Sequence, residues 1–339
     1  MSIRFSAIGF EHGHIYGQVK VMLDAGAEFV SFYDTNEENV AKFASHFPQG
    51  KRIDSIEEIL EDESIHLVVS ADIPINRAPL GIRVMQHGKD YMADKPGICT
   101  LEQLEEVRKV QAETGQIYSI CFSERLTQQA SIKAGELIQA GAIGQVVQTA
   151  SFGPHRLVQK TPRPEWFFDR KNFGGILTDI VSHQMDQFLF YTNSTSAEVV
   201  AATVGNFKHQ QYPKIHDMGD AMVRSPHASG YVRVDWLTPT GLPTWGDVRL
   251  FITGTDGYIE VRKNVDIAGR EGGNHLFLVD GGNVQYIDCA DTEITYGKQL
   301  IDDILNRTET AMPQAHVFLA SELALKAEAM ATDLTQLDG

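Results

Sequence analysis

Ile3-Arg4-Phe5-Ser6-Ala7-Ile8-Gly9-Phe10-Glu11-His12-Gly13-His14-Ile15-Tyr16-Gly17 runs from a short apolar strand through glycine into a helical pattern, which is how a nucleotide-binding α/β domain begins. Its glycines are displaced. Read as G-x-G-x-x-G from Gly9, the second and third glycine positions hold Glu11 and His14, and Gly13 and Gly17 are the residues left for close approach. At this junction backbone N–H groups and the helix dipole can hold a pyrophosphate, so Gly9, Phe10, His12, Gly13 and His14 are the candidate cofactor contacts. A strand-to-helix turn of any α/β protein is the plainer alternative.

Outward from that stretch, β-branched or aromatic runs at residues 3–8, 29–33, 67–70, 90–92 and 117–121 alternate with helical spacing at 19–23, 40–47, 56–60, 79–87 and 101–114. That alternation predicts parallel βαβ units. Gly26, Gly88 and Gly115 stand where helices should stop. Beyond residue 122 the pattern changes to helices near 131–140 and 177–191, and to strand-like runs at 145–152, 197–207, 220–224, 230–236, 247–253, 257–262, 275–279 and 283–287. Short glycine-rich turns between them predict an open, largely antiparallel sheet. The expected organisation is a Rossmann domain over 1–122 and an α/β substrate-binding and oligomerisation domain over 123–339, its last helix, near 316–334, able to pack back on the first domain. So broad a sheet leaves a face for another subunit, predicting a homodimer or homotetramer.

Composition narrows the partners. A formal net charge of −16 argues against a nucleic-acid backbone, whose binding relies on basic patches, and no apolar stretch approaches the ~20 residues of a membrane span. Cys99, Cys121 and Cys289 are too few and too scattered for a disulfide framework or a clustered zinc site, so a cytoplasmic protein is expected. His12 and His14 without a nearby carboxylate or thiolate in sequence read as phosphate or cleft contacts, and no metal is expected.

Asp34 ends the second strand, where an acid grips an adenosine ribose and repels a 2′-phosphate, so NAD is expected ahead of NADP. A surface Asp opening the Thr35-Asn36 turn is the alternative. Asp94-Lys95-Pro96 follows another strand end and places Lys95 on the ligand crevice of an open sheet, unless Lys95 is a surface lysine paired with Asp94. Farther on, Gly174-Gly175 precedes Asp179 and His183, four residues apart on one helix face, with Asp186 and Gln187 extending the polar stripe. Oxidising a secondary alcohol needs a base near neutral pH, which suits His183. His155 and Arg156, then Arg163 and Trp166, combine guanidinium and aromatic groups suited to a polyhydroxylated or acidic sugar. An interface loop could carry the same residues.

With these residues assembled, the chain resembles the Gfo/Idh/MocA oxidoreductase family over nearly its whole length. The family's glycine loop corresponds to Gly9 through Gly17, its Glu-Lys-Pro motif to Asp94-Lys95-Pro96, and its Gly-Gly-x-x-x-Asp-x-x-x-His motif to Gly174 through His183. The resemblance implies a Rossmann domain, an open-sheet second domain, bound NAD or NADP, and hydride transfer at a carbon of a sugar, sugar acid or cyclitol. It further implies Lys95 on the reacting oxygen and also near the cofactor, Asp179 positioning substrate, and His183 taking the proton. Asp94 departs from the family's Glu, and Glu11 and His14 depart from its glycines. Relatives also include glycosidases that oxidise only transiently and non-catalytic dinucleotide-binding regulators, which stand as the alternatives.

Overall fold

The computed structural model describes residues 2–157 and 162–336. Two compact units emerge, Met1–Cys121 with Thr295–Phe318, and Phe122–Ile294 with Leu319–Gly339.

In the first unit, strands β1 (Arg4–Ile8), β2 (Glu28–Tyr33), β3 (Lys51–Arg52), β4 (Leu67–Ser70), β5 (Asp90–Asp94) and β6 (Tyr118–Cys121) form a parallel sheet in the order 3-2-1-4-5-6. This is a Rossmann sheet. Helices α1 (Ile15–Asp24), α2 (Glu37–His46), α3 (Ile56–Glu61), α4 (Pro74–Gln86) and α5 (Leu101–Thr114) connect its strands. Strands β4, β5 and β6 are buried at every position, as continuous apolar runs covered on both faces should be. Asn36, Ser55 and Thr100 cap α2, α3 and α5 through side-chain oxygens that accept backbone N–H groups.

The second unit begins with α6 (Ser123–Leu126) and α7 (Gln129–Gln139). Its nine-stranded sheet comprises β7 (Val146–Pro154), β8 (Glu198–Gly205), β9 (Met218–Arg224), β10 (Ser229–Asp235), β11 (Arg249–Gly254), β12 (Gly257–Arg262), β13 (His275–Asp280), β14 (Val284–Ile287) and β15 (Thr332–Asp333). Their order is 14-13-12-11-7-10-9-8-15, antiparallel except where β7 meets β10 and β8 meets β15. The largely antiparallel sheet expected from sequence is therefore present. One of its faces buries Val232, Ile252, Ile259 and Leu276, while Met222, Phe152, Tyr231, Phe251 and Tyr258 alternate onto the other and keep partial or full exposure.

A wider turn, the π-helical Leu177–Val181, leads directly into α8 (Ser182–Tyr191), where sequence predicted one uniform helix. Such insertions frequently mark functional sites. Helix α9 (Tyr296–Asn306) lies in the first unit, and α10 (Gln314–Met330) begins there and ends in the second.

Candidate active site

In the first unit a candidate cofactor region lies at the carboxyl ends of β1, β2, β4 and β5. Gly9 adopts φ +79°, and a Cβ there would come within 2.5 Å of the Asp72 Cβ, so only glycine fits this turn. Two loop amides are already engaged: the Phe10 N–H donates to Asp34 Oδ2 at 2.5 Å, and the His12 N–H donates to the Ala71 carbonyl at 2.8 Å. Asp34 is thus a stitch for the glycine loop as well as a candidate ribose contact. Its other oxygen accepts the Asn36 N–H at 2.7 Å, and burial pushes its carboxyl up against those stabilising amides.

Beside this loop a cavity of about 400 Å³ is bounded by Gly9, Glu11, Asp34, Asp72, Ile73 and Pro79, among others. Its position outside the strand ends, and its mix of apolar walls with carboxylates, suit an adenosine. Asp72 is also pushed up, first by burial and then by Asp34 and Glu11, so the walls already carry crowded negative charge. A second phosphate on the ribose would meet repulsion there.

Across the same sheet edge, the carboxylate missing from the sequence neighbourhood of the two histidines is supplied by the end of β5. Asp94 Oδ1 lies 2.9 Å from His14 Nδ1, and Asp94 Oδ2 lies 3.4 Å from His12 Nδ1. The three donor atoms fall within 4.8 Å of one another, the spacing of possible metal ligands. Charge argues against a cation there, because Arg77 approaches Asp94 Oδ2 at 3.2 Å and Lys95 is the next residue. Burial pushes the Asp94 carboxyl up, but His14, Arg77 and His12 outweigh it and hold the group well below the carboxylate range. His12 is pushed well down, first by burial and then by His14, Arg77 and Lys95 against the pull of Asp94. Lys95 itself is buried, only 7% exposed, at the strand end.

In the second unit the candidate residues Asp179 and His183 lie in and just after the π turn. The Asp179 N–H donates to the Gly175 carbonyl at 2.9 Å, and Asp179 and His183 are 7% and 2% exposed. The His183 ring meets Phe122 edge-on at 6.2 Å. Alongside, α8 is anchored by a buried ion pair, Arg125 Nε to Asp186 Oδ2 at 2.7 Å and Nη2 to Oδ1 at 2.6 Å. Gln184 donates to Glu124 at 3.1 Å, and Lys263 pairs with the same carboxylate at 3.6 Å.

Of the four candidate substrate residues, two converge. Arg163 is stacked between Phe167 and Trp236, its guanidinium carbon 4.2 and 4.6 Å from the ring centres, and His155 packs on Trp236 and Trp245. Burial pulls Arg163 down to about 10, with Asp179 acting in the opposite direction, which ties the arginine electrostatically to the site helix. Arg156 turns elsewhere and donates to the carbonyls of Pro239 and Leu242, pinning that loop. Trp166 contacts Phe167, and its carbonyl accepts from Asn172. No local motif marks Trp245, Lys263 or Glu124, yet Trp245 packs on His155, Lys263 lies over Trp245 and pairs with Glu124, and Glu124 accepts from Gln184 on α8.

Glu328 was equally invisible from sequence. From the end of α10 its Oε2 accepts the Leu177 N–H at 2.8 Å, at the start of the π turn. Gly175, at φ +98°, makes room for it, since a Cβ would come within 2.1 Å of the carboxylate. Burial pushes Glu328 up to about 7 against those backbone donors. Its folded value exceeds its unfolded value near 4.5, so the folded state binds the extra proton and stability falls as pH rises through the window from 4.5 to 7. The Glu328→Gln variant keeps an acceptor for Leu177 and should flatten that fall, gaining up to about 3 kcal/mol at pH 8 relative to pH 4.5. Urea unfolding at both pH values measures it, and an unchanged pH slope would refute the assignment.

Comparison with known proteins completes the description. Residues 3–122 match the family model described as oxidoreductase family, NAD-binding Rossmann fold, and residues 132–260 match the GFO/IDH/MocA C-terminal domain. A crystallised protein of Erwinia carotovora atroseptica SCRI1043, assigned as an oxidoreductase, is 42% identical and superposes with a TM-score of 0.95 over 98% of this chain and 100% of that one. The scyllo-inositol 2-dehydrogenase (NAD(+)) of Bacillus subtilis (strain 168) is 24% identical, covering 82% of this chain and 80% of that enzyme. The 1,5-anhydro-D-fructose reductase of Ensifer adhaerens is 28% identical, and this chain spans about half of its length, 52%.

Proposed function

Because the chain belongs to the Gfo/Idh/MocA family of oxidoreductases, with an NAD-binding Rossmann domain, we propose that it transfers hydride between NAD and a secondary alcohol carbon of a sugar, sugar acid or cyclitol. The observation that carries this reading is Lys95, buried at the carboxyl end of β5 and two strands from the glycine loop that follows β1. A bound dinucleotide supplies the hydride acceptor or donor. Lys95 hydrogen-bonds the reacting oxygen, Asp179 orients the substrate, and His183 takes the hydroxyl proton during oxidation and returns it during reduction. The relatives named as inositol dehydrogenase and anhydrofructose reductase support a cyclic polyol or sugar substrate. Arg163 and His155, set among Trp236 and Trp245, favour one with a ring face and a negative or hydroxyl-rich edge.

A screen of sugars, sugar acids and cyclitols with NAD and NADP in parallel, followed by nicotinamide absorbance, tests the reading. Failure of every substrate class with both cofactors would overturn it. Within that screen, Asp34→Asn should weaken discrimination against NADP by about tenfold, since one charge-assisted hydrogen bond is worth roughly 1.5–3 kcal/mol. An unchanged NAD:NADP ratio of kcat/KM would remove Asp34 from the specificity role.

We also propose that the chain works in the cytoplasm as a homodimer or homotetramer through the outer face of the nine-stranded sheet. That face carries Phe152 in ring contact with both Tyr231 and Phe251. Among the described residues no helix is long and apolar enough to cross a membrane, and the three cysteines are buried. Tyr231→Asp should convert the oligomer to monomer at micromolar concentration by light scattering. A wild-type monomer, or an unaffected variant, would count against this interface.

A further inference from the structure

Arg77 is wholly buried on α4, yet its guanidinium reaches two turns of the cofactor edge. Its Nε donates to the Asp72 carbonyl at 2.7 Å, Nη1 to the Lys95 carbonyl at 2.6 Å and the Pro96 carbonyl at 3.3 Å, and Nη2 pairs with Asp94 Oδ2 at 3.2 Å. The backbone that presents Lys95 is therefore held from beneath. From the other side Asp94 faces the glycine loop, meeting His14 at 2.9 Å and His12 at 3.4 Å. The backbone N–H of His14 also donates to His12 Nδ1 at 3.3 Å, which ties the two residues within the loop. Asp94 Oδ2 accepts no hydrogen bond of good geometry although the residue is only 1% exposed. A buried carboxylate so placed needs its neighbouring cations and imidazoles.

We propose that Asp94 is a positioning residue which fastens the cofactor loop, through His14, to the turn that presents Lys95, so that the dinucleotide and the lysine are aligned by one linkage. The inference rests on the functional reading above. It assigns a chemical reason to both departures from the family pattern at once. A carboxylate on the shorter Asp side chain meets an imidazole where the loop has His14 in place of glycine. A divalent ion is the competing use of the same three side chains. The nearby positive charges of Arg77 and Lys95 weigh toward a proton-mediated link instead.

The test compares wild type with Asp94→Asn, His14→Asn and the double variant. His14 is 44% exposed, so its replacement leaves folding intact even if the Asp94 variant is unstable. Each single variant should lower kcat about tenfold with NAD affinity changed less than about threefold, and the double variant should be no worse than either single, as expected for partners in one interaction. Additive losses, or losses confined to NAD affinity, would overturn the linkage. Hydrogen exchange reads it without turnover: amides of residues 12–16 should exchange about tenfold faster in Asp94→Asn, and unchanged exchange would also overturn it. Stoichiometric zinc retained by wild type and lost in His14→Asn would replace the linkage with a metal site. If wild type binds no dinucleotide and reduces no substrate class, the functional reading fails while the exchange result still judges the linkage.

Discussion

Lys95→Ala and His183→Ala should each reduce kcat/KM on an identified substrate by roughly 10²–10⁴, the range of a lost general acid–base or oxygen-polarising group. The cause differs between them. Lys95 is a buried cation at a strand end, and without it the reacting oxygen loses a charge-assisted donor in a low-dielectric setting. His183 is 2% exposed on α8, and in the proposed role its loss would leave the hydroxyl proton without its acceptor. Dinucleotide binding should survive in His183→Ala, because that residue lies in the second unit while the cavity and glycine loop lie in the first. Stopped-flow or steady-state absorbance at saturating NAD measures both. If the two variants turned over like wild type, the assignment of either role would be withdrawn.

Arg125→Met should destabilise the second unit by about 3–5 kcal/mol, the cost of leaving a buried carboxylate without its ion partner. Asp186 is fully buried, and both of its oxygens accept from the Arg125 guanidinium in a forked geometry. The guanidinium also lies over the Phe190 ring at 4.4 Å, so packing is lost with the charge. Asp186 stands one turn after His183 on α8, so the same change should loosen the imidazole proposed as proton acceptor and lower kcat. Replacing both partners, Arg125→Met with Asp186→Leu, should recover most of the stability, since no buried charge is then stranded. Chemical denaturation of wild type and the two variants decides this. A double variant as unstable as the single would show that packing, rather than charge burial, sets the cost.

What could be read in advance was whatever a local pattern carries. The strand-turn-helix from Ile3 to Gly17, the acid at Asp34, the lysine after a strand end and the Gly-Gly to His183 spacing are all short-range signals, because one element's period and one turn's geometry suffice to place them. The alternation of strands and helices likewise announced the parallel sheet, and the glycine-rich turns announced the antiparallel one.

The residues that support the site were hidden because their partners are remote in sequence. Arg77 reads as an ordinary helix arginine until the sheet order sets α4 beneath the end of β5. Glu328 reads as a surface position on an Ala-rich helix until its carboxylate caps the Leu177 turn, 151 residues earlier. Asp94 and His14 are 80 residues apart, which is why the two loop histidines looked bereft of a carboxylate in sequence.

Sequence by itself determined the elements, their order and the chemical types at the two motif regions, since backbone periodicity and turn preference act over a few residues. Only tertiary structure decided which charges face one another. A buried carboxylate takes its ionisation from neighbours within a few ångströms, and parallel strands collect those neighbours from chain positions far apart.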